Sequence, residues 1–422
     1  MQNADLIIHN AGQLVTCASS GRPKRGDAML DVGIIENGAV ALADGKFVGV
    51  GKSEEILRDF KSDEMVDAEG RVVCPGFVDP HTHIVFAGDR LNEFELKIKG
   101  AAYLEILANG GGIISTVRQT REASVESLVV QSLTRLDKML VCGTTTCEIK
   151  TGYGLDTATE LKMLEVIAEL DRLHPISIVP TFLAAHAVPP EFKADPEKYV
   201  DLVCDTMLAE AWKWFVASDF HGRVSFFCDV FCENEAFSLV QSRRILESAK
   251  GLGFKIKAHV DQFTNLGGAR LAIELGATSI DHLDAISDEE IDLLAQSDTV
   301  GMVIPTENFN AGKTNFANAR NLIDSGCAVA LSTDYNPGSA PCPSQPMAMA
   351  ISCRYQKLLP SEAFNAATIN AAYAIGLGET VGSIEVGKRA DVTIFETHDY
   401  RQIAYEFGGD LVAAVYSAGI AV

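Results

Sequence analysis

No apolar run in this chain of 422 residues reaches the roughly 18 residues that a membrane-spanning helix needs. An integral helical membrane protein is therefore excluded. Nor is there any basic block: 35 Lys and Arg stand against 57 Asp and Glu, a formal charge of −22, which argues against nucleic acid or an anionic membrane surface as partner. The ten cysteines include no Cys-x-x-Cys pair, so they read as small buried hydrophobes and not as a disulfide framework. The opening stretch "MQNADLIIHNAGQL" lacks a basic segment followed by a long apolar one, so no secretory signal is visible and the cytoplasm is expected.

What is present is globular: 47% hydrophobic and 22% charged residues. The length exceeds one ordinary core but suits a barrel of about 250 residues with a smaller satellite. Residues 1–70 hold short β-rich runs, one resembling a hairpin around Ala43-Asp44-Gly45-Lys46, and "VGSIEVGKRADVTIFE" near the far end has the same texture. In between, apolar strand runs alternate with amphipathic helical stretches such as "ATELKMLEVIAELDRL". Eight strand candidates stand out: "VVCPGFVD", "TTTCEI", "ISIVPTFL", "VSFFCDVF", "FKIKAH", "TSIDHL", "VGMVIP" and "AVALST". Their spacing favours an α/β fold of the (β/α)8 TIM-like barrel type over an open doubly wound sheet, with residues 71–375 as barrel. Residues 1–70 and 376–422 would form a small β-sandwich built from both chain ends.

Two glycine-rich stretches need separate readings. "NGGGIISTVRQTR" has no Gly-Lys-Ser/Thr ending and reads as a loop feeding a helix, with Ser115 or Thr116 as cap and Arg118 and Arg121 on its surface. "KTGYGLD" follows the second strand, which puts Tyr153 at the end of the barrel where such enzymes keep their active sites, although a plain turn tyrosine fits as well.

The histidines carry the functional signal. His81 and His83 are two residues apart at the mouth of the first strand, so both imidazoles can face one metal ion. His186, His259 and His282 fall at or just past the ends of later strands, and Asp334 ends the last. His9, His174, His221 and His398 lie elsewhere and read as surface or helix-end residues. Asp334 taken alone could equally cap the turn at "STDYNPG". An anionic substrate would be repelled by the net charge and would need a local cation; Arg90, seven residues past His83, is the candidate.

His-x-His on strand one, histidines ending strands five and six and an aspartate ending strand eight resemble the amidohydrolase superfamily. That resemblance implies His81, His83, His259 and Asp334 as metal ligands, with His282 close to the bound water. The modified lysine that ends strand four in two-metal members has no counterpart here, which implies one divalent metal per chain, Zn or Fe. Over essentially its whole length the sequence is similar to the imidazolonepropionase family. The residues that carry this are "PGFVDPHTHIVFAGDR" with "NEF" after it, "GGGIISTVRQTR", "KTGYGL", "AAHAVP", "AHVDQF" and "STDYNPGS". The resemblance implies that Arg90, Tyr153 and His186 contact 4-imidazolone-5-propanoate, that Asn336, Gly338 and Ser339 contact the product N-formimidoyl-glutamate, and that the enzyme is a homodimer.

The chemistry agrees with the residues. A divalent ion can bring the pKa of bound water to about 7 and polarise a cyclic amide, His282 and Asp334 can carry protons, and a guanidinium can grip a propionate through two parallel hydrogen bonds. One rival is an amino-heterocycle deaminase of the same superfamily, which usually has His-x-x-Glu at strand five. Here Gln262 takes that position, and an amide cannot shuttle a proton; its own role stays open. The other rival, a barrel that has become a non-catalytic scaffold, would tend to lose metal ligands, whereas every expected position is kept.

Overall fold

A computed structural model describes residues 1–100 and 111–422. Eight parallel strands form one sheet in chain order: β1 (Phe77–Asp79), β2 (Thr144–Lys150), β3 (Ser177–Ala185), β4 (Phe227–Cys232), β5 (Lys255–Val260), β6 (Ser279–His282), β7 (Val300–Val303) and β8 (Val329–Leu331). The ring is completed past the strand ends, where Thr82 bridges Tyr335 in parallel and the His83 N–H donates to the Tyr335 carbonyl at 2.9 Å. Helices occupy the crossovers, among them α1 (Leu91–Ile98), α2 (Ile113–Glu122) and α3 (Val125–Val141) between β1 and β2, and α4 (Thr157–Leu173) after β2. Helix α4 shows why such segments stay helical. Asp156 caps it by accepting the Thr159 N–H, and Met163, Leu164, Ile167 and Leu170 bury one face against the barrel. Each such side chain contributes roughly 1.5–3 kcal/mol.

Strand alternation decides what lies inside the barrel. On β5, Ile256, Ala258 and Val260 join the core between barrel and helices, so Lys257 and His259 take the opposite face, toward the barrel axis. Both are buried all the same.

The chain ends share a second sheet. Its order is Ile420–Ala421, Val412–Ser417, Val392–Phe395, Val72–Pro75, Leu6–Val15, Ile34–Ala43, Lys46–Lys52, with Met65–Asp67 also paired to Leu6–Val15. The expected hairpin is there, its Asp44 and Gly45 both at positive φ, 51° and 71°. Its tip folds over the sheet: the Phe47 N–H donates to Lys388 O at 3.0 Å and the Ala390 N–H to Gly45 O at 2.9 Å. Leu14, Val40, Leu42, Val73, Val392 and Ile394 pack in the space so enclosed.

Two local expectations need correction. The run "VVCPGFVD" is not one strand: Val72–Pro75 pairs with Val392–Phe395 in the second sheet, and the barrel begins at Phe77. The break falls at Pro75-Gly76. Proline has no N–H to donate, and a Cβ on Gly76 would lie 2.2 Å from Thr145 Oγ1, so only glycine passes this close to β2. Helix α2 is capped by Gly112 at φ 76°, not by Ser115 or Thr116, which lie inside its first turn. Asn109 and Gly110 lie outside the described residues. All ten cysteines are free thiols. Among the described residues no helix is long and apolar enough to cross a membrane.

Candidate active site

The backbone leaving β1 runs through His81, Thr82 and His83, and the i, i+2 spacing brings the two imidazoles to one side with their Nε2 atoms 3.3 Å apart. Asp334, past β8, places Oδ1 3.7 Å from His81 Nε2 and 3.5 Å from His83 Nε2. The His259 ring lies 4.4 Å from that of His81 and 5.5 Å from that of His83, centroid to centroid. His282 stands 5.2 Å from His259. The donors form two overlapping groups that share His81, one with His83 and Asp334 and one with His259 and His282. His186 stacks on His83 at 5.0 Å, and its Nδ1 is 3.1 Å from Gly152 O. All five histidines picked out by the sequence therefore meet in one place.

His282 arrives there by a backbone device. It has the parity of Ile280, which packs outward, but φ values of 86° at His282 and 67° at Leu283 break the alternation. Asp334 likewise sits at φ 50°. Such left-handed residues store strain, and functional sites are where it is found.

Beneath the imidazoles lies a layer of buried charge that sequence reasoning missed. Asp281 Oδ2 holds His81 Nδ1 at 2.7 Å, and Asp229 Oδ2 lies 3.0 Å from His259 Nδ1. Lys150 joins the two carboxylates, with Nζ 2.7 Å from Asp229 and 3.6 Å from Asp281, and it also reaches Glu148 at 2.9 Å. Lys257 meets Glu148 from the other side at 2.9 Å and donates to Pro80 O at 2.8 Å. All five side chains are fully buried. Burial alone would lower the Lys150 pKa, but Asp229, Glu148 and Asp281 together hold it above the ordinary value. Asp79 supports the opposite wall: its carboxylate accepts Ser332 Oγ at 2.5 Å, the Thr333 N–H at 3.2 Å and the Thr333 hydroxyl, which fixes the turn that carries Asp334. The signal was there in "KIKAH" and "CEIK", where charges recur at every second position of otherwise apolar strands, and in "SIDH", where a lone aspartate follows an isoleucine.

These surroundings set the protonation states. Burial first, then the crowding of other basic groups, Lys150 and the neighbouring imidazoles, keeps His81, His83 and His282 well below the usual histidine range, and His186 is held down to about 3. Neutral imidazole is the form that binds a metal. Burial, then Glu307, raises Asp334 well above the usual carboxylate range, and a cation placed against it would offset both effects. Converging imidazole nitrogens with one carboxylate oxygen are a donor set that suits a divalent metal, so the residues fit one.

Arg90 caps the start of α1. Its Nε donates to Glu93 Oε2 at 2.8 Å and its Nη2 to the same oxygen at 2.5 Å. Its Nη1 lies against Gly338, where a Cβ would fall 1.9 Å away. Gly338 belongs to the loop that follows Asp334, and Asn336 shapes that loop by accepting the Gly338 and Ser339 N–H groups, each at 2.8 Å. Ser339 Oγ donates to Asp334 Oδ2 at 3.5 Å. Tyr153 is buried with its ring 6.0 Å from His83 and 5.5 Å from His186, and burial, then Asp334, pushes its hydroxyl pKa up. Gln262 is half-buried just past β5. Arg121, expected on the surface, instead donates to Gly154 O at 2.7 Å and Leu155 O at 3.2 Å, pinning the loop that carries Tyr153.

A parallel eight-strand barrel whose C-terminal mouth gathers histidines from strands one, three, five and six and an aspartate from strand eight defines an amidohydrolase. Two profiles described as amidohydrolase family match residues 64–209 and 233–422. An imidazolonepropionase from Chloroflexus aggregans is 52% identical over 420 residues, covering 99% of this chain and 98% of that protein. One from Herpetosiphon aurantiacus is 52% identical over 419 residues, covering 99% and 97%. The chain belongs to the imidazolonepropionase family. Among solved structures, a zinc-bound adenosine deaminase from Xanthomonas campestris superposes with a TM-score of 0.75 at 20% identity, over 100% of this chain and 93% of that one. The Escherichia coli guanine deaminase gives 0.69 at 16% identity, over 99% of each. Both speak for the fold alone.

Proposed function

We propose that this chain hydrolyses the ring amide of 4-imidazolone-5-propanoate to N-formimidoyl-L-glutamate, a step of histidine degradation, with one Zn or Fe ion held by His81, His83, His259 and Asp334. The observation that carries this reading is the loop after β8. It joins Asp334 to Gly338, against which Arg90 packs, so a guanidinium able to grip a carboxylate shares a loop with one of the proposed metal ligands. A divalent ion there would supply Lewis acidity toward water and the ring carbonyl. The protein's own groups do the rest. Arg90 holds the propionate, Tyr153 and His186 flank the ring, and Gln262 orients it through its amide. Water adds to the carbonyl carbon, the amide C–N bond breaks, and the ring nitrogen leaves with a proton carried by Asp334 or His282. The product gains a second carboxylate beside a protonated amidine, and Asn336, Gly338 and Ser339 receive it.

Mixing the enzyme with freshly generated substrate should abolish the imidazolone ultraviolet absorbance. Rapid release of ammonia from guanine or cytosine would instead favour a deaminase, a reaction that needs a proton shuttle Gln262 cannot provide. The same reading places the protein in the cytoplasm, where ten free thiols stay reduced. It also makes the enzyme a homodimer that takes a small anionic substrate and binds neither nucleic acid nor membrane. Light scattering would then report twice the 45.3 kDa chain mass.

A further inference from the structure

We propose that Glu93 is a positioning residue for Arg90, and that it sets the affinity for the substrate carboxylate while leaving the hydrolytic step alone. The proposal rests on the reading of Arg90 as the propionate clamp. Glu93 lies one turn past Arg90 on α1, and only 7% of it is exposed. One carboxylate oxygen takes the Nε and Nη2 donors of Arg90, at 2.8 and 2.5 Å, and the other accepts the Gly112 N–H at 2.8 Å. The carboxylate thus ties the guanidinium to the cap of α2. The bare backbone of Gly338 also closes on Nη1, so the planar group is held by a carboxylate and a glycine together.

The donor arithmetic explains the arrangement. A guanidinium has five N–H groups in a fixed fork, and Glu93 occupies two of them on one edge. The edge formed by Nη1 and Nη2 keeps one parallel donor on each nitrogen, the geometry a second carboxylate takes in a bidentate grip. Two carboxylates would then share one guanidinium on adjacent edges. The repulsion this introduces is countered locally by Lys97, whose Nζ donates to Gly338 O at 3.3 Å and so brings a second cation to the same loop. Without Glu93 the long arginine side chain regains its rotamers, and the ordering cost falls on substrate binding.

The test is steady-state kinetics of the metal-loaded enzyme for wild type, Glu93→Gln, Glu93→Ala, Arg90→Ala and the double variant Arg90→Ala/Glu93→Gln, with metal content and thermal unfolding recorded for each. Glu93→Gln keeps the volume but loses one of the acceptors, and should raise KM about tenfold with kcat within about twofold; Glu93→Ala should raise KM further. In the Arg90→Ala background Glu93→Gln should change KM by less than about twofold, because the residue acts only through Arg90. An unchanged or lowered KM in Glu93→Gln, or an equal effect in both backgrounds, overturns the proposal. So does a fall in kcat with KM intact. If Arg90→Ala leaves KM untouched, the clamp reading itself fails; if it raises KM and Glu93→Gln does not, only the role of Glu93 fails.

Discussion

Arg90 and His259 have different proposed roles, so their removal should read out differently. Taking one partner from a buried charged hydrogen-bonded pair costs on the order of 2–5 kcal/mol, so Arg90→Ala should lower kcat/KM by roughly 30-fold to several thousand-fold. Metal content should stay the same. Arg90→Lys should recover part of the loss only, because an ammonium keeps the charge but not the planar fork. Near-normal kcat/KM in Arg90→Ala would mean that the carboxylate is bound elsewhere. His259→Ala takes away a proposed metal donor instead: metal bound per chain and turnover should fall together, while circular dichroism still reports a folded barrel. Full metal content in that variant would take His259 out of the ligand set.

The barrel strands carry a second expectation. Lys150 on β2 bridges Asp229 on β4 and Asp281 on β6, the carboxylates that face His259 and His81. Lys150→Met leaves both buried acids short of their cation, which should cost on the order of 3–5 kcal/mol of stability, measured by denaturant unfolding. It should also weaken metal binding by about 10- to 100-fold, since the carboxylates that orient the imidazoles lose the cation that holds them in place. Unchanged metal affinity would reduce the layer to a structural role. The eight strands and the histidines at their ends were legible because period-two apolar runs and a clustering of one residue type survive in a bare sequence. The charged layer was passed over, since lysine and glutamate ordinarily mark a solvated face, and only the strand parity of Lys257 and His259 marks them as interior. The split of the first strand was hidden because an apolar run reads as continuous across Pro75-Gly76, although those two residues are the reason for the break. Arg121 shows a further limit: helical periodicity gives a face but not how deep it sits, and here the face meets the Tyr153 loop.

At the scale of the whole molecule, a charge of −22 would oppose the proposed anionic substrate from afar, while Arg90 and Lys97 would attract it close in. Salt separates the two, because exposed charges beyond about 10 Å are screened at 0.1 M whereas a buried pair is screened far less. Raising ionic strength from about 0.01 to 0.1 M should therefore increase kcat/KM a few-fold, mainly through KM. A steady decrease would mean that the local cations dominate the approach. The second sheet has a consequence of another kind. Val72–Pro75 hydrogen-bonds to Val392–Phe395, a strand that leaves the ribosome roughly 300 residues later. At about 5–20 residues per second the nascent chain spends some 15–60 s with that edge open and its apolar face uncovered. Synthesis, more than the finished fold, is then the interval in which this protein is most exposed to aggregation and most in need of a chaperone.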